Sequence, residues 1–344
     1  MGSTGRVSIA IHREKRAMIV DFQHHFTPRE LVKDDVSGGK LILKYDKWGA
    51  PSYTNHELLF DLDAHIKMMD RAGIDVAMLS CAAGMCVDLE PSKFINDKAK
   101  QAERDYPGRF IGTAHADPLG GKDAFRELAR CKHELGFPGI VIQSEVHGLH
   151  LDSPELNPFW EECQKLGLFV FVHPALALMN GQFFDTDDLA RSVGREFSLV
   201  VATIKLINGG VLDRFPGLKV QMAHLSGGVA SVLGRIRSYQ DKNFWGTAGN
   251  PKHGRLPEKD FDHYINQRLV FDTAGFCGAI SSVKSSLVEL PVGRIVFGSD
   301  YPQEIRDPEA VRAFVAAIRK LGRDGSAILE GNVGHLLPEP ARAA

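Results

Sequence analysis

Eight short apolar runs, rich in Val, Ile and Phe and separated by stretches of helical periodicity, constrain this chain more than any other feature. The runs are Met18–Phe22, Asp75–Ser80, Phe110–Thr113, Gly139–Ile142, Leu168–Val172, Lys219–Ala223, Leu269–Asp272 and Arg294–Gly298. Helical patterns fall around Asp63–Ala72, Pro91–Asp105, Lys122–Leu135, Pro154–Leu166, Asp188–Phe215, Gly228–Gln240, Ala279–Leu290 and Pro308–Leu321. Apolar runs alternating with helices feed a parallel sheet that helices cover. Eight such units predict an α/β fold, a closed (β/α)8 TIM barrel. The connection from Thr27 to Leu62 is a long insertion between the first strand and the first helix. Within it the alternation of Lys40–Tyr45 predicts a hairpin over the barrel mouth.

At 344 residues, with 44% hydrophobic and 24% charged side chains, the chain can bury a sizeable core without staples. Residues 1–17 carry several basic side chains and no apolar centre, so they read as an N-terminal extension rather than a secretory signal. Residues 18–344 read as one domain, with Leu336–Ala344 as a fraying tail. A net charge of -2 supplies no basic field, which argues against a nucleic-acid partner and for a small molecule. The five cysteines are odd in number, scattered and free of CxxC pairs, as expected of a reducing cytoplasm. No apolar run approaches the roughly 20 residues of a membrane span. No glycine-rich phosphate loop follows a strand.

Reactive groups in barrels of this kind sit where the strands end and the loops begin. Here those ends carry Gln23 and His25, then His173, His224 and Asp300. Gln23 and His25, two apart on a strand, point to one face, and His24 points to the other. His173 closes Leu-Phe-Val-Phe-Val just before Pro174, and His224 precedes Leu-Ser-Gly-Gly. Taken singly, each histidine has the ordinary reading of a hydrogen-bonded core or loop residue. Four strand ends agreeing in one chain reverse that. Imidazoles with a carboxylate, and room left for water, suit one catalytic zinc and accept manganese or iron. His65, His133, His263 and His335 fall in helical or terminal contexts. His56, His115, His147 and His150 lie nearer the mouth loops.

The pieces "VDFQHHFTP", "FVFVHPA", "VQMAHLSGG" and "IVFGSDYP" together resemble the amidohydrolase superfamily. The branch resembled is that of aminocarboxymuconate-semialdehyde decarboxylase and the aromatic-acid decarboxylases, in order from about Met18 to Gly334. Members usually carry His-x-His at the first strand, where this chain has Gln23-x-His25. The resemblance implies metal ligands Gln23, His25, His173 and Asp300. Gln23 would be a neutral, weaker ligand. Two-metal relatives use a modified lysine at the end of strand four, where this chain has Gln143 and Ser144, so one metal is implied.

By the same resemblance the reaction is nonoxidative decarboxylation of an aromatic or vinylogous, muconate-like acid. Asp300 or His224 would deliver the proton to carbon, and His224 would be the base if water adds first. Arg235, in "VLGRIRS", falls where relatives carry a substrate-binding arginine. Relatives commonly dimerise, so a homodimer is implied. Two other readings remain open: a metal-dependent hydrolase or hydratase of a lactone, amide or unsaturated diacid, and a barrel that only binds. Carbon dioxide release separates the first pair, and metal content separates the last.

Overall fold

The computed structural model describes residues 18–45, 49, 51–175 and 186–337; the N-terminal extension expected over 1–17 lies outside them. Eight parallel strands follow the eight apolar runs: β1 (Val20–His25), β4 (Val76–Ser80), β5 (Phe110–Gly112), β6 (Gly139–Gln143), β9 (Phe169–His173), β10 (Lys219–Met222), β11 (Leu269–Asp272) and β12 (Ile295–Val296). Two short antiparallel pairs account for the rest: β2 (Ile42–Tyr45) with β3 (Pro51–Asn55), and β7 (Glu145–Val146) with β8 (Leu149–His150). The parallel strands form one sheet in the order β1-β4-β5 and another in the order β12-β11-β10-β9-β6.

The sheets meet at two seams. Ala114 bridges Ile140 beyond the end of β5, and His24 bridges Tyr301 beyond the end of β12. At the second seam Phe22 N–H donates to Phe297 O (2.9 Å) and His25 N–H to Tyr301 O (2.7 Å). Val170, Val172, Val220, Phe271 and Ile295 are buried outright, as strands covered on both faces require.

Helices α1 (Leu62–Ala72), α2 (Leu89–Asp105), α3 (Gly121–Arg130), α4 (Asn157–Leu166) and α5 (Arg195–Asn208) each bury an apolar face in the core. α1 starts where Asp61 accepts from Ala64 N–H (3.0 Å), and it buries His65, Met68, Met69 and Ala72. The helix expected over Asp188–Phe215 is shorter: a wide turn over Ala190–Gly194 precedes α5, and the chain breaks at Gly209–Gly210, where two glycines lower helix propensity. The hairpin expected from Lys40–Tyr45 is β2 with β3, and it places Tyr53 in a cavity wall beside His25 and His173. The fraying tail needs correction at its start. Leu336 and Leu337 are buried in the core, held by apolar contact, while 338–344 lie outside the described residues. Among the described residues no helix is long and apolar enough to cross a membrane.

Candidate active site

β1 carries the first two site residues, and a register slip between Asp21 and His24 decides how it presents them. Because of the slip, the Asp21 carboxylate reaches His24 Nδ1 (3.0 Å), which strict alternation would put on the opposite face. His24 Nε2 then meets His65 Nδ1 (3.0 Å), so His24 belongs to the layer under α1, as its parity predicts. Gln23 and His25 face the other way.

There His25, His173 and Asp300 come together. One ligand atom from each lies within 4.8 Å of the other two, and all three residues are buried. His25 Nε2 is 2.7 Å from Asp300 Oδ1. His173 Nδ1 sits 3.1 Å from Pro174 O, which fixes the ring and leaves its other nitrogen toward the cluster. Burial pushes the His173 pKa well down, helped by His25 and His224, so the imidazole is the neutral form a metal requires. Burial alone would raise Asp300, but hydrogen bonds from His224 and His25 outweigh it and hold the carboxyl well below its usual range. Gln23 Oε1 is buried with no hydrogen-bond partner, as is His25 Nδ1. Orphaned acceptors around two imidazoles and a carboxylate are what a divalent cation would satisfy. The residues present fit one.

His224 stands beside this cluster. Its Nε2 is 2.9 Å from Gln23 Nε2 and 3.4 Å from Asp300 Oδ2, and its Nδ1 is 2.9 Å from Glu196 Oε1. Burial pulls the imidazolium down, but the Glu196 and Asp300 carboxylates outweigh it and hold its pKa well above the ordinary value. Both His224 (φ 54°) and Asp300 (φ 59°) adopt the left-handed region that side chains avoid, a cost of about 1–3 kcal/mol each and typical of functional positions.

Two glycines make this placement possible. A Cβ at Gly275 would lie 2.0 Å from the His224 ring, and one at Gly227 would lie 1.9 Å from the Glu196 carbonyl oxygen. Asp272, at the end of β11, accepts from His224 N–H (3.0 Å), Ala274 N–H (3.1 Å) and Gln221 Nε2 (2.8 Å). Burial raises its pKa to about 6.

Gln23, His25, His173, His224 and Asp300 are therefore neighbours. Arg235 is not among them. It is exposed on the helix Leu233–Ser238, its guanidinium 5.1 Å over the Tyr239 ring, and it lines no wall shared with His25. The guanidinium that does line the cavity is Arg195, at the first residue of α5. Arg195 and Glu196 carry no sign in the sequence, because a helix start offers no strand-end signal. Asp272 did: it ends the seventh apolar run, much as His173 directly follows the fifth.

Residues 20–319 match the amidohydrolase family model, and the chain belongs to that family. It is 36% identical over 186 residues to 2-amino-3-carboxymuconate-6-semialdehyde decarboxylase of Dictyostelium discoideum, covering 52% of this chain and 51% of that one. It is 27% identical to gamma-resorcylate decarboxylase of a Rhizobium species, covering 83% and 88%. A solved dihydroxybenzoic acid decarboxylase from a Polaromonas species, described with bound manganese and the inhibitor 2-nitroresorcinol, superposes with a TM-score of 0.73. That structure is 23% identical, with 93% of this chain and 96% of that one covered.

Proposed function

We propose that this chain is a metal-dependent carboxy-lyase that removes carbon dioxide, without oxidation, from an aromatic or muconate-like carboxylic acid. The observation that carries the reading is the convergence of His25, His173 and Asp300 within 4.8 Å in a buried cluster. The decarboxylases among its relatives agree with it. The bonds across both seams support a closed eight-stranded barrel, with the β2–β3 hairpin inserted between β1 and α1. The family match over 20–319 supports one domain over 18–344. Five unpaired cysteines, four of them buried, fit a cytoplasmic setting.

His25, His173 and Asp300 would hold one divalent ion, with the Gln23 amide oxygen as a fourth, weaker ligand. The imidazoles suit zinc, and the oxygen donors suit manganese, the ion reported with the Polaromonas relative. Such an ion supplies Lewis-acid polarisation of the acid's oxygens. Breaking the bond to the carboxylate leaves carbanion character on carbon, which must take up a proton. His224 is the donor, since Glu196 and Asp300 favour its protonated form. Asp300 would help to hold the ion, and its Oδ2 lies 3.4 Å from His224 Nε2. General acid catalysis of this sort contributes about 10²–10⁴-fold.

The test is a pair of measurements on purified chain loaded with manganese or zinc. One ion per chain and carbon dioxide release from gamma-resorcylate or from aminocarboxymuconate semialdehyde are expected. Stoichiometric metal with hydration or ring opening and no gas would move the protein to the hydratase or hydrolase reading. No metal uptake would leave a binding barrel.

A further inference from the structure

Gln23 and His25 lie on β1, whereas Asp300 lies in the segment after β12, so their spacing depends on how that segment docks against the first strand. Two backbone bonds join them directly: Asp300 N–H donates to Gln23 O (2.9 Å), and His25 N–H donates to Tyr301 O (2.7 Å). Glycine at 298 allows the approach, since a Cβ there would stand 3.1 Å from the Gln23 Cβ.

A fully buried carboxylate, Asp21, completes this seam. Its Oδ1 accepts from Ser299 N–H (2.9 Å) and from Gln23 N–H (3.3 Å). Its Oδ2 accepts from the Ser299 hydroxyl (2.5 Å) and lies 3.0 Å from His24 Nδ1. The Ser299 hydroxyl oxygen in turn accepts from Tyr301 N–H (3.0 Å). Asp300 is thus pinned on both flanks by bonds that lead to Asp21, directly at residue 299 and through the serine hydroxyl at residue 301. That support matters because Asp300 keeps a left-handed backbone (φ 59°), which persists only where surrounding contacts offset its cost. On β1 the same carboxylate fixes His24, the residue between Gln23 and His25, whose other nitrogen meets His65 of α1. Asp21 lines no part of the cavity around His25, His173 and Asp300.

We propose that Asp21 is a positioning residue of the metal centre. Through Ser299 and His24 it sets the separation of His25 and Asp300, and with it how tightly and in what geometry the ion is held. This rests on the reading of His25, His173 and Asp300 as metal ligands. Groups behind metal ligands usually act by bonding to a ligand's side chain. Asp21 instead grips the backbone and neighbours of ligands on two strands at once, so a single carboxylate governs both sides of the cluster.

The experiment measures manganese affinity of the full chain by chelator competition, the electron paramagnetic resonance spectrum of the bound manganese, and urea midpoints. The proteins are the native chain, Asp21→Asn, Ser299→Ala, Ser299→Thr and His65→Asn. Asp21→Asn keeps the size and one accepting oxygen, but it sets a donor against the Ser299 hydroxyl and His24 Nδ1. Manganese is expected to bind about 10- to 100-fold more weakly, the range for groups behind metal ligands, with an altered spectrum. Ser299→Ala should lose about 10-fold, and Ser299→Thr, which keeps the hydroxyl, should restore most of it. His65→Asn removes the ring whose Nε2 lies 2.5 Å from Leu58 O, at the far end of the same chain of contacts. It should lower the urea midpoint while leaving manganese affinity within about 3-fold and the spectrum native. Native affinity and spectrum in both Asp21→Asn and Ser299→Ala overturn the proposal. So does an equal loss of affinity in His65→Asn and Asp21→Asn, which would make Asp21 a contributor to stability alone. If Asp21→Asn fails to fold, the two Ser299 variants and His65→Asn still decide. A native chain that takes up no manganese overturns the metal reading and this proposal together. Stoichiometric manganese in the native chain with unaltered variants overturns this proposal alone.

Discussion

Glu196 Oε1 lies 2.9 Å from Nδ1 of His224, while the other ring nitrogen faces Gln23 and Asp300. The carboxylate comes from the first turn of α5 and the imidazole from the loop after β10, so one bond ties a helix start to a strand end. A carboxylate on the remote nitrogen fixes ring orientation and favours the protonated ring.

If His224 is the proton donor, Glu196→Gln keeps the shape and removes the charge. The expected outcome is a kcat lower by about 10- to 100-fold, within the scale of acid–base effects, with KM moved less than about 3-fold. Metal content should stay at the native value. Steady-state kinetics with gamma-resorcylate checks this, and an unchanged kcat removes Glu196 from the reaction.

The strand ends were legible because a strand's period of two and its abrupt stop put particular side chains at the mouth; His173 before Pro174 is the clearest case. Gln23, His25 and Asp300 followed by the same rule. Arg195 and Glu196 were not legible, because they act from a helix start whose approach to His224 depends on how the chain folds back at Gly227. Arg235 shows the converse: its motif resembles that of relatives, yet its helix points it outward onto Tyr239. The eight strands were within a few residues of their observed bounds, whereas the Asp188–Phe215 helix was interrupted where local turns replaced periodicity.

The proposed ligand set predicts graded metal affinity. His173→Ala and Asp300→Ala each remove a donor with a formal place in the cluster, and each should lower bound metal to substoichiometric levels. Gln23→Ala removes only a neutral oxygen and should weaken binding by about 10-fold, the lower end of effects around metal sites. Gln23→His should tighten it. Competition against a chromophoric chelator gives the order, and native affinity in Gln23→Ala would exclude its amide from the coordination sphere.

His115 predicts an acid-sensitive fold. Burial lowers its pKa from 6.5 to about 4, and its Nε2 accepts from Cys81 N–H at 3.0 Å. Between those values the unfolded chain binds a proton that the folded chain refuses. Stability is therefore full above pH 6.5 and falls as the pH drops toward 4, by about 1.4 kcal/mol per unit from this group. Asp272, raised to about 6 by burial, works in the opposite direction over the same range, so the comparison must be between variants. His115→Gln keeps an acceptor for Cys81 and does not titrate. Urea midpoints measured from pH 4 to 7 should show a shallower acid loss in this variant than in the native chain, and parallel curves would rule out His115 as the sensor.

Gly275 offers the sharpest test of how His224 is placed. It has φ +83°, and a Cβ there would lie 2.0 Å from Cγ of the His224 ring. Gly275→Ala thus has two costs: a left-handed backbone that alanine resists, about 1 kcal/mol or more, and a collision that pushes the ring away. The first lowers the melting temperature by a few degrees. The second breaks the alignment of Glu196, His224 and Asp300, so kcat should fall at least about 10-fold, as misplacement of a reacting group does. His25, His173 and Asp300 are untouched, so bound metal stays stoichiometric. Gly293→Ala is the control, because a Cβ there meets nothing within 4 Å and its φ is ordinary. Native turnover in Gly275→Ala, with the ring shown to have moved, would mean that the proton reaches carbon from another group, with Asp300 the remaining candidate in the cluster.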